Sequence, residues 1–252
     1  MRPRVVLPLV GLLAFFAVWE LWVRAADVPP FILRSPLEVV RALADDPAAY
    51  ARNAWATGRL AIVGFGLALV VGFVVGTLLA LVRWAEQAAS AVLVLVVVTP
   101  FVAYTPSVVV WLGPGWGPIV FVTTLVCSVP FIYAVTSGMR AADPAVLDVL
   151  HSVDARWWEV VWRARLPYAL PQVFTAARIN VGLALIATWL TEQSALVNRG
   201  LGVIGKRAVA FNDGDLLWAS VFCTAALGIT GLITLGALER LVLRWHASQR
   251  IR

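Results

Sequence analysis

Residues 60–82 (LAIVGFGLALVVGFVVGTLLALV) run for 23 positions without a charged side chain, and that run limits the fold more than any motif does. Hydrocarbon about 30 Å thick is crossed by roughly 20 apolar residues in a helix, whose backbone groups bond one another inside the segment. A run of this length is read as a membrane span. Five further stretches qualify: residues 5–23, interrupted by Glu20; 88–112, containing Pro100 and Pro106; 119–136, after the turn GPGWGP; 173–190, with Arg178 and Asn180; and 216–238, again without charge. The alternating ten-residue strands of a membrane barrel are missing. The fold class expected is all-α integral membrane protein, with six transmembrane helices in one domain over residues 1–252. Composition agrees, since 61% of residues are hydrophobic and 13% charged, against roughly half and a quarter in soluble domains.

The net charge of +6 is almost all arginine, with Lys206 the one lysine. In a membrane protein this balance speaks to topology and lipid headgroups, not to nucleic acid. Arg2 and Arg4 ahead of the first span put the N-terminus in the cytoplasm. An even number of spans returns Arg240, Arg244, Arg250 and Arg252 to the same side, together with Arg83 and the 139–168 segment. The expected location is a bacterial plasma membrane, crossed several times. The first segment resembles a secretory signal but is longer than a usual apolar region and carries Trp19, Glu20 and Trp22, so it is read as a retained helix. After it, Ser35-Pro36 with Glu38 has the pattern of an N-cap, a first-position proline and a capping box. An amphipathic helix on the outer surface follows, with Leu37, Val40 and Leu43 towards the membrane.

Several chemistries are excluded. Cys127 and Cys223 sit in apolar runs without metal or redox spacing and are read as inert buried thiols. His151 and His246 are too far apart in sequence for a metal pair, and no metal site is expected. Residues 200–207 (GLGVIGKR) match G-x-G-x-x-G, but a membrane helix precedes them instead of a strand, and Arg207 stands where a phosphate loop needs Ser or Thr. No catalytic constellation appears, so the chain is not expected to be an enzyme. Secondary transporters carry ionisable groups within their helices and inverted repeats. Here Glu20, Arg178 and Glu192 approach the hydrocarbon only near span ends, and no repeat is visible. A gradient-driven transporter, a membrane enzyme and an assembly protein stay as alternative readings.

The unusual segment is residues 143–167, where charge concentrates between apolar runs. Val146, Leu147, Leu150, Val153, Trp157, Val160 and Val161 recur at three- and four-residue steps against Asp148, His151, Arg156, Glu159 and Arg163. This is an amphipathic helix, broken near Asp154. Asp143-Pro144 is its N-cap and first position, and Pro167 and Pro171 are expected to stop it and begin the next span.

This stretch, DPAVLDVLHSVDARWWEVVWRARLPYALPQVFTAARI, resembles the cytoplasmic loop of the transmembrane permease subunits of ATP-binding-cassette importers. That family carries Glu-Ala-Ala, three residues, a glycine, and Leu-Pro twelve residues beyond the glycine. Leu166-Pro167 keeps the spacing, while Asp148-Val149-Leu150 replaces Glu-Ala-Ala and Asp154 replaces the glycine. PPFILRSP, the proline-rich third span, GLG after span five and LERLVLRWH are similar to the branch importing nitrate, sulfonates and taurine. The resemblance implies a type I importer permease whose 139–168 loop carries a coupling helix between spans four and five. Asp148, Val149, Leu150, Asp154, Arg156, Glu159, Leu166 and Pro167 would then engage a separate ATPase.

The same resemblance implies two ATPase subunits that bind the ATP and Mg²⁺, with no cofactor in this chain. It also implies an extracytoplasmic solute-binding protein and a second permease copy, a homodimer in preference to a heterodimer. A tight turn at Asp154 would need φ > 0, which Asp tolerates better than most residues. The pathway candidates are Tyr104, Thr105, Arg178, Asn180, Glu192 and Gln193, with Arg178 placed to neutralise an anion or to snorkel to the cytoplasm. Ordinary roles compete for the others: threonine bonding back to its own helix, Tyr104 in an aromatic belt, and Glu192-Gln193 among outer headgroups. The solute expected is small and anionic, sulfonate-, taurine- or nitrate-like, with bicarbonate or a pyrimidine precursor suiting the same scaffold.

Overall fold

The computed structural model describes residues 3–29 and 32–243, apart from the side chains of residues 3–6, 8 and 9. Arg2, Arg244, His246, Arg250, Arg252 and the side chain of Arg4, on which part of the charge argument rests, lie outside the described residues. Within them the chain is helical throughout: α1 (Pro3–Ala25), α2 (Pro36–Asp45), α3 (Pro47–Leu81), α4 (Arg83–Val98), α5 (Phe101–Leu112), α6 (Trp116–Arg140), α7 (Pro144–Ser152), α8 (Trp157–Val160), α9 (Leu166–Glu192), α10 (Leu201–Phe211) and α11 (Gly214–Val242). A π-turn over Val161–Arg165 joins α8 to α9, so Trp157–Glu192 is one rod of 36 residues.

Among the described residues four helices are long and apolar enough to cross a membrane: α3, α6, the Trp157–Glu192 rod and α11. A fifth exists if α4 and α5 form one broken span, bent by 98°. The single helix expected over residues 88–112 is therefore corrected. Pro100 supplies no N–H to the α4 ladder, and Thr99 and Pro100 both leave helical geometry. Pro106, by contrast, stays inside α5. A second correction concerns Pro167 and Pro171, which do not stop a helix. The widened π-turn bonds the N–H of Leu166 to the carbonyl of Val161, so the rod continues through the first proline, and Pro171 lies within α9.

Contacts between helices fix their directions. On α3, Gly64, Gly72 and Gly76 meet Thr123, Phe131 and Val135 of α6, so the two run parallel. Every fourth position of α3 from 64 to 80 is Gly or Ala, and all five are buried. A Cβ at Gly72 would lie 2.3 Å from that of Phe131. Between lipid-immersed helices there is little hydrophobic drive, so close van der Waals approach and hydrogen bonds supply the association. Thr136 Oγ1 donates to the Gly76 carbonyl at 3.1 Å. Arg140 closes the end of α3, donating to the carbonyls of Leu79 at 2.7 Å and Ala80 at 3.4 Å while pairing with Glu86 of α4.

α9 runs against both, with Ala169 beside Gly138 and Thr188 beside Thr123. α11 runs with α3, Leu227 meeting Gly58, and α1 runs against α11 through the Phe16–Phe222 and Trp19–Trp218 contacts. The bundle thus has two ends. One holds α2, α10 and the starts of α3, α6 and α11; the other holds the α3–α4 junction, residues 141–165 and the end of α11.

The local expectations for α2 hold at its cap. Ser35 Oγ accepts from the Glu38 N–H at 3.4 Å, and Glu38 Oε2 accepts from the Ser35 N–H at 3.1 Å. Its faces need one correction. Leu37 and Val40 are exposed, but Leu43 turns inward onto a cluster of Val39, Tyr50, Leu201, Ile204 and Ala219, because α2 packs on α11.

Candidate functional site

Asp143 caps α7 by accepting from the Ala145 N–H at 2.9 Å, and Pro144 takes its first turn. Nothing in α7 is buried. Val149 is 64% exposed and Trp157 72%, with Val146, Val153 and Trp162 also open. An apolar stripe on an amphipathic helix with no partner among the described residues is a surface made for another molecule. Asp148 is exposed beside it, and Leu150 is half-buried.

The break falls at Asp154, whose φ is +51°. Its N–H donates to the His151 carbonyl at 3.1 Å, and the Ala155 N–H donates to the Leu150 carbonyl at 3.0 Å. The turn therefore needs the left-handed backbone that a glycine adopts freely. Arg156 then starts α8, its N–H donating to Glu159 Oε2 at 2.9 Å, and Glu159 pairs with Arg163 at 3.5 Å. Beneath this exposed surface, Ala142, Val160, Val161 and Ala164 are buried, with Leu166 and Pro167 half-buried behind them. The segment is an open face on a fixed base.

The pathway candidates do not converge. Arg178 and Glu192 lie fourteen residues apart on α9, about 21 Å at 1.5 Å per residue. Arg178 pairs with Glu239 of α11, so its charge is already matched. Asn180 is fully buried and donates to the Cys127 carbonyl at 2.9 Å, tying α9 to α6. Thr105 is buried and bonds back to the Phe101 carbonyl at 2.8 Å. Tyr104 is half-buried, its hydroxyl without a partner among the described residues. Gln193 is half-buried, and its backbone carbonyl accepts from Lys206 Nζ at 2.8 Å.

Glu192 is the surprise. Its side chain is turned into protein at 1% exposure, which overturns the headgroup alternative. Thr57 Oγ1 donates to it at 2.8 Å, and the Gly202 N–H donates to its Oε2 at 2.8 Å. Thr57 Oγ1 in turn accepts from the Leu201 N–H at 2.8 Å, while Asn53 Oδ1 accepts from the Gly200 N–H at 2.9 Å. Successive N–H groups at the start of α10 are thus held by α3 and α9. The carboxylate has no ion-pair partner among the described residues; the helix N-terminus supplies the compensation.

This gives GLGVIG its physical reason. Gly200 has φ +152° and lies against the Glu192 carboxylate, and a Cβ at Gly202 would sit 2.0 Å from the Trp189 carbonyl oxygen. The glycines let backbone approach α9, and the anion at the helix start is the chain's own side chain. Asn53 and Thr57 were invisible in the sequence as partners; the glycine triplet was the one available signal.

The family model described as binding-protein-dependent transport system inner membrane component matches residues 68–245. The formylaminopyrimidine transport permease protein ThiX of Halalkalibacterium halodurans is 30% identical over 247 residues, covering 96% of each chain. The riboflavin transport system permease protein RibX of Chloroflexus aurantiacus is also 30% identical, over 95% of this chain and 90% of that one. The putative aliphatic sulfonates transport permease protein SsuC of Escherichia coli is 26% identical over 94% and 90%. Among solved structures, inward-facing conformations of the MetNI methionine ABC transporter are similar in fold, with TM-score 0.68 and 19% identity over 77% of this chain and 96% of that one. A match over residues 68–245, near-complete alignment to a relative and a shared fold place the chain: it belongs to the binding-protein-dependent transport system inner membrane components, the non-catalytic permease subunits of ATP-binding-cassette importers.

Proposed function

We propose that this permease crosses a bacterial plasma membrane six times and couples to two ATPase subunits through residues 143–167. α1, α3, the bent α4–α5 pair, α6, the Trp157–Glu192 rod and α11 are the six crossings, and both termini face the cytoplasm. The observation that carries the reading is the exposed apolar stripe of α7 and α8 on its capped, left-handed break. Val149, Leu150 and Trp157 enter a groove on the ATPase, and Asp148, Arg156 and Glu159 set the register by charge. ATP and Mg²⁺ belong to the ATPase. Two copies of this chain enclose the route, and a solute-binding protein outside delivers the cargo.

For the cargo, the pairing of Arg178 with Glu239 favours a neutral heterocycle over the sulfonate-, taurine- or nitrate-like anion expected at first, because that arginine is not free to balance an anion. The two relatives at 30% identity, named for a formylaminopyrimidine and for riboflavin, support the same choice.

Purification of the tagged permease from its native host in mild detergent tests the coupling. One ATPase copy per permease copy is expected, and Val149→Asp should remove the ATPase while leaving the permease folded. An intact permease with no ATPase in the wild type would sink the importer reading. Competition of ATP-driven uptake by a formylaminopyrimidine, riboflavin and taurine then separates heterocycle from anion.

A further inference from the structure

The proposed function leaves unexplained why an ionisable side chain, with no ion-pair partner among the described residues, is buried at the end of α9 remote from the coupling segment. Burying a carboxylate in this way is costly, and the tie to α10 would be made more cheaply by a hydroxyl or an amide. The geometry suggests what the carboxylate adds. The Trp157–Glu192 rod is unbroken, about 54 Å long at about 1.5 Å per residue, and its first turn belongs to the coupling segment. Its last residue is Glu192. The carboxylate grips α10 through the Gly202 N–H, and α3 through Thr57, which in turn holds the Leu201 N–H.

α10 has no other covalent link to the rod than residues 193–200, a loop containing Leu196 at φ +54°. The loop is tied to the rod at its start, where the Ser194 and Ala195 N–H groups donate to the Thr191 carbonyl; three hydrogen bonds between buried groups hold α10 itself. Room for side-chain compliance is also lacking, since Gly200 and Gly202 lie hard against Glu192 and Trp189. α10 carries Lys206 and Arg207, which line a cavity of about 320 Å³ with Glu192, Gln193, Val203 and Phe211 at this end of the bundle.

We propose that Glu192 is a positioning residue for transport: it fastens α10 to the far end of the rod, so that movement of the coupling segment is delivered to the cavity lined by Lys206 and Arg207. The inference rests on the importer reading and adds a route through the molecule to it. Asn53 and Thr57 belong to the same fastening, as the groups on α3 that hold α10 in line.

The test uses the complex of permease and co-purified ATPase, and it needs no knowledge of the cargo. Spin labels are placed at Arg207→Cys on α10 and Trp116→Cys at the start of α6, and their separation is measured with and without ATP and vanadate. In the labelled parent protein the separation changes on trapping. Glu192→Ala should abolish the change while ATP hydrolysis stays within about twofold of the parent. Glu192→Gln keeps one acceptor and should retain part of the change, a graded rescue that mere loss of folding would not give. Thr57→Val leaves the carboxylate in place and loosens the grip, so it decides the matter if Glu192→Ala fails to assemble. An unchanged response in Glu192→Ala, or in Thr57→Val where that variant decides, overturns the inference. A parent complex with no ATP-dependent change overturns the importer reading instead.

Discussion

Asp154 sits where its family relatives are expected to carry glycine, and the backbone there has φ +51°. A left-handed conformation costs an L-residue roughly 1–2 kcal/mol, somewhat less for Asp, whose short polar chain bonds locally. Asp154→Gly should therefore raise the thermal unfolding temperature of the detergent-solubilised permease slightly. Asp154→Val should lower it and reduce ATPase binding, because a β-branched residue resists this turn. Equal unfolding temperatures for the Gly and Val variants would show that the turn carries no strain. This turn was legible in advance, since one position of a spaced pattern pointed to it. The Glu192 site was not. Its partners Thr57 and Gly202 are 135 and 10 residues away, and no local periodicity links a threonine in one apolar helix to a carboxylate in another.

Among the elements, the rod from Trp157 to Glu192 depends on how Pro167 is accommodated. The proline cannot donate to the carbonyl four residues earlier, and the π-turn over Val161–Arg165 takes up the mismatch. Pro167→Ala restores the N–H. It should let the turn tighten towards α-helical spacing and rotate Trp157 and Trp162 by about 100°, one residue's worth of helix. The measurable outcome is weaker ATPase retention with an unchanged unfolding temperature; unchanged retention would show that the π-turn does not set the register of the docking face. Helix caps were readable because Ser35 with Glu38, and Asp143 with Pro144, act within four residues. The bend between α4 and α5 was half-readable: Pro100 marked the place, but its 98° angle depends on what α5 packs against, and hydropathy is blind to that. The small-residue face of α3 was present in the sequence yet hidden, because glycine and alanine do not interrupt an apolar run.

At the scale of the whole molecule, contacts put residues 83 and 141–165 at one end of the bundle and residues 46 and 194–213 at the other. In a cysteine-free background, single cysteines at Asp46 and Asn198 should react with a membrane-impermeant thiol reagent added to intact cells. Those at Arg83 and Ser152 should react only after the cells are opened. Labelling of Ser152→Cys from outside would invert the topology and put the docking face on the wrong side of the membrane for ATP. Overall helicity and the four long apolar helices, α3, α6, the Trp157–Glu192 rod and α11, followed from apolar length, because lipid leaves a chain few options; the expected first span over residues 5–23 is not among them. How the helices neighbour one another did not follow, since that depends on shape.

The parallel packing of α3 on α6 also bears on how the protein is made. Two neighbours pointing the same way cannot be consecutive in the chain, so α4 and α5 must carry the polypeptide back before α6 can begin. The ribosome therefore delivers α3 to the bilayer about sixty residues before the surface that fits it has been synthesised. During that interval its glycine face has no α6 to pack against. A nascent chain halted after α5 would hold α3 without the helix that its glycines fit, and the pair would be closed only once Arg140 had emerged.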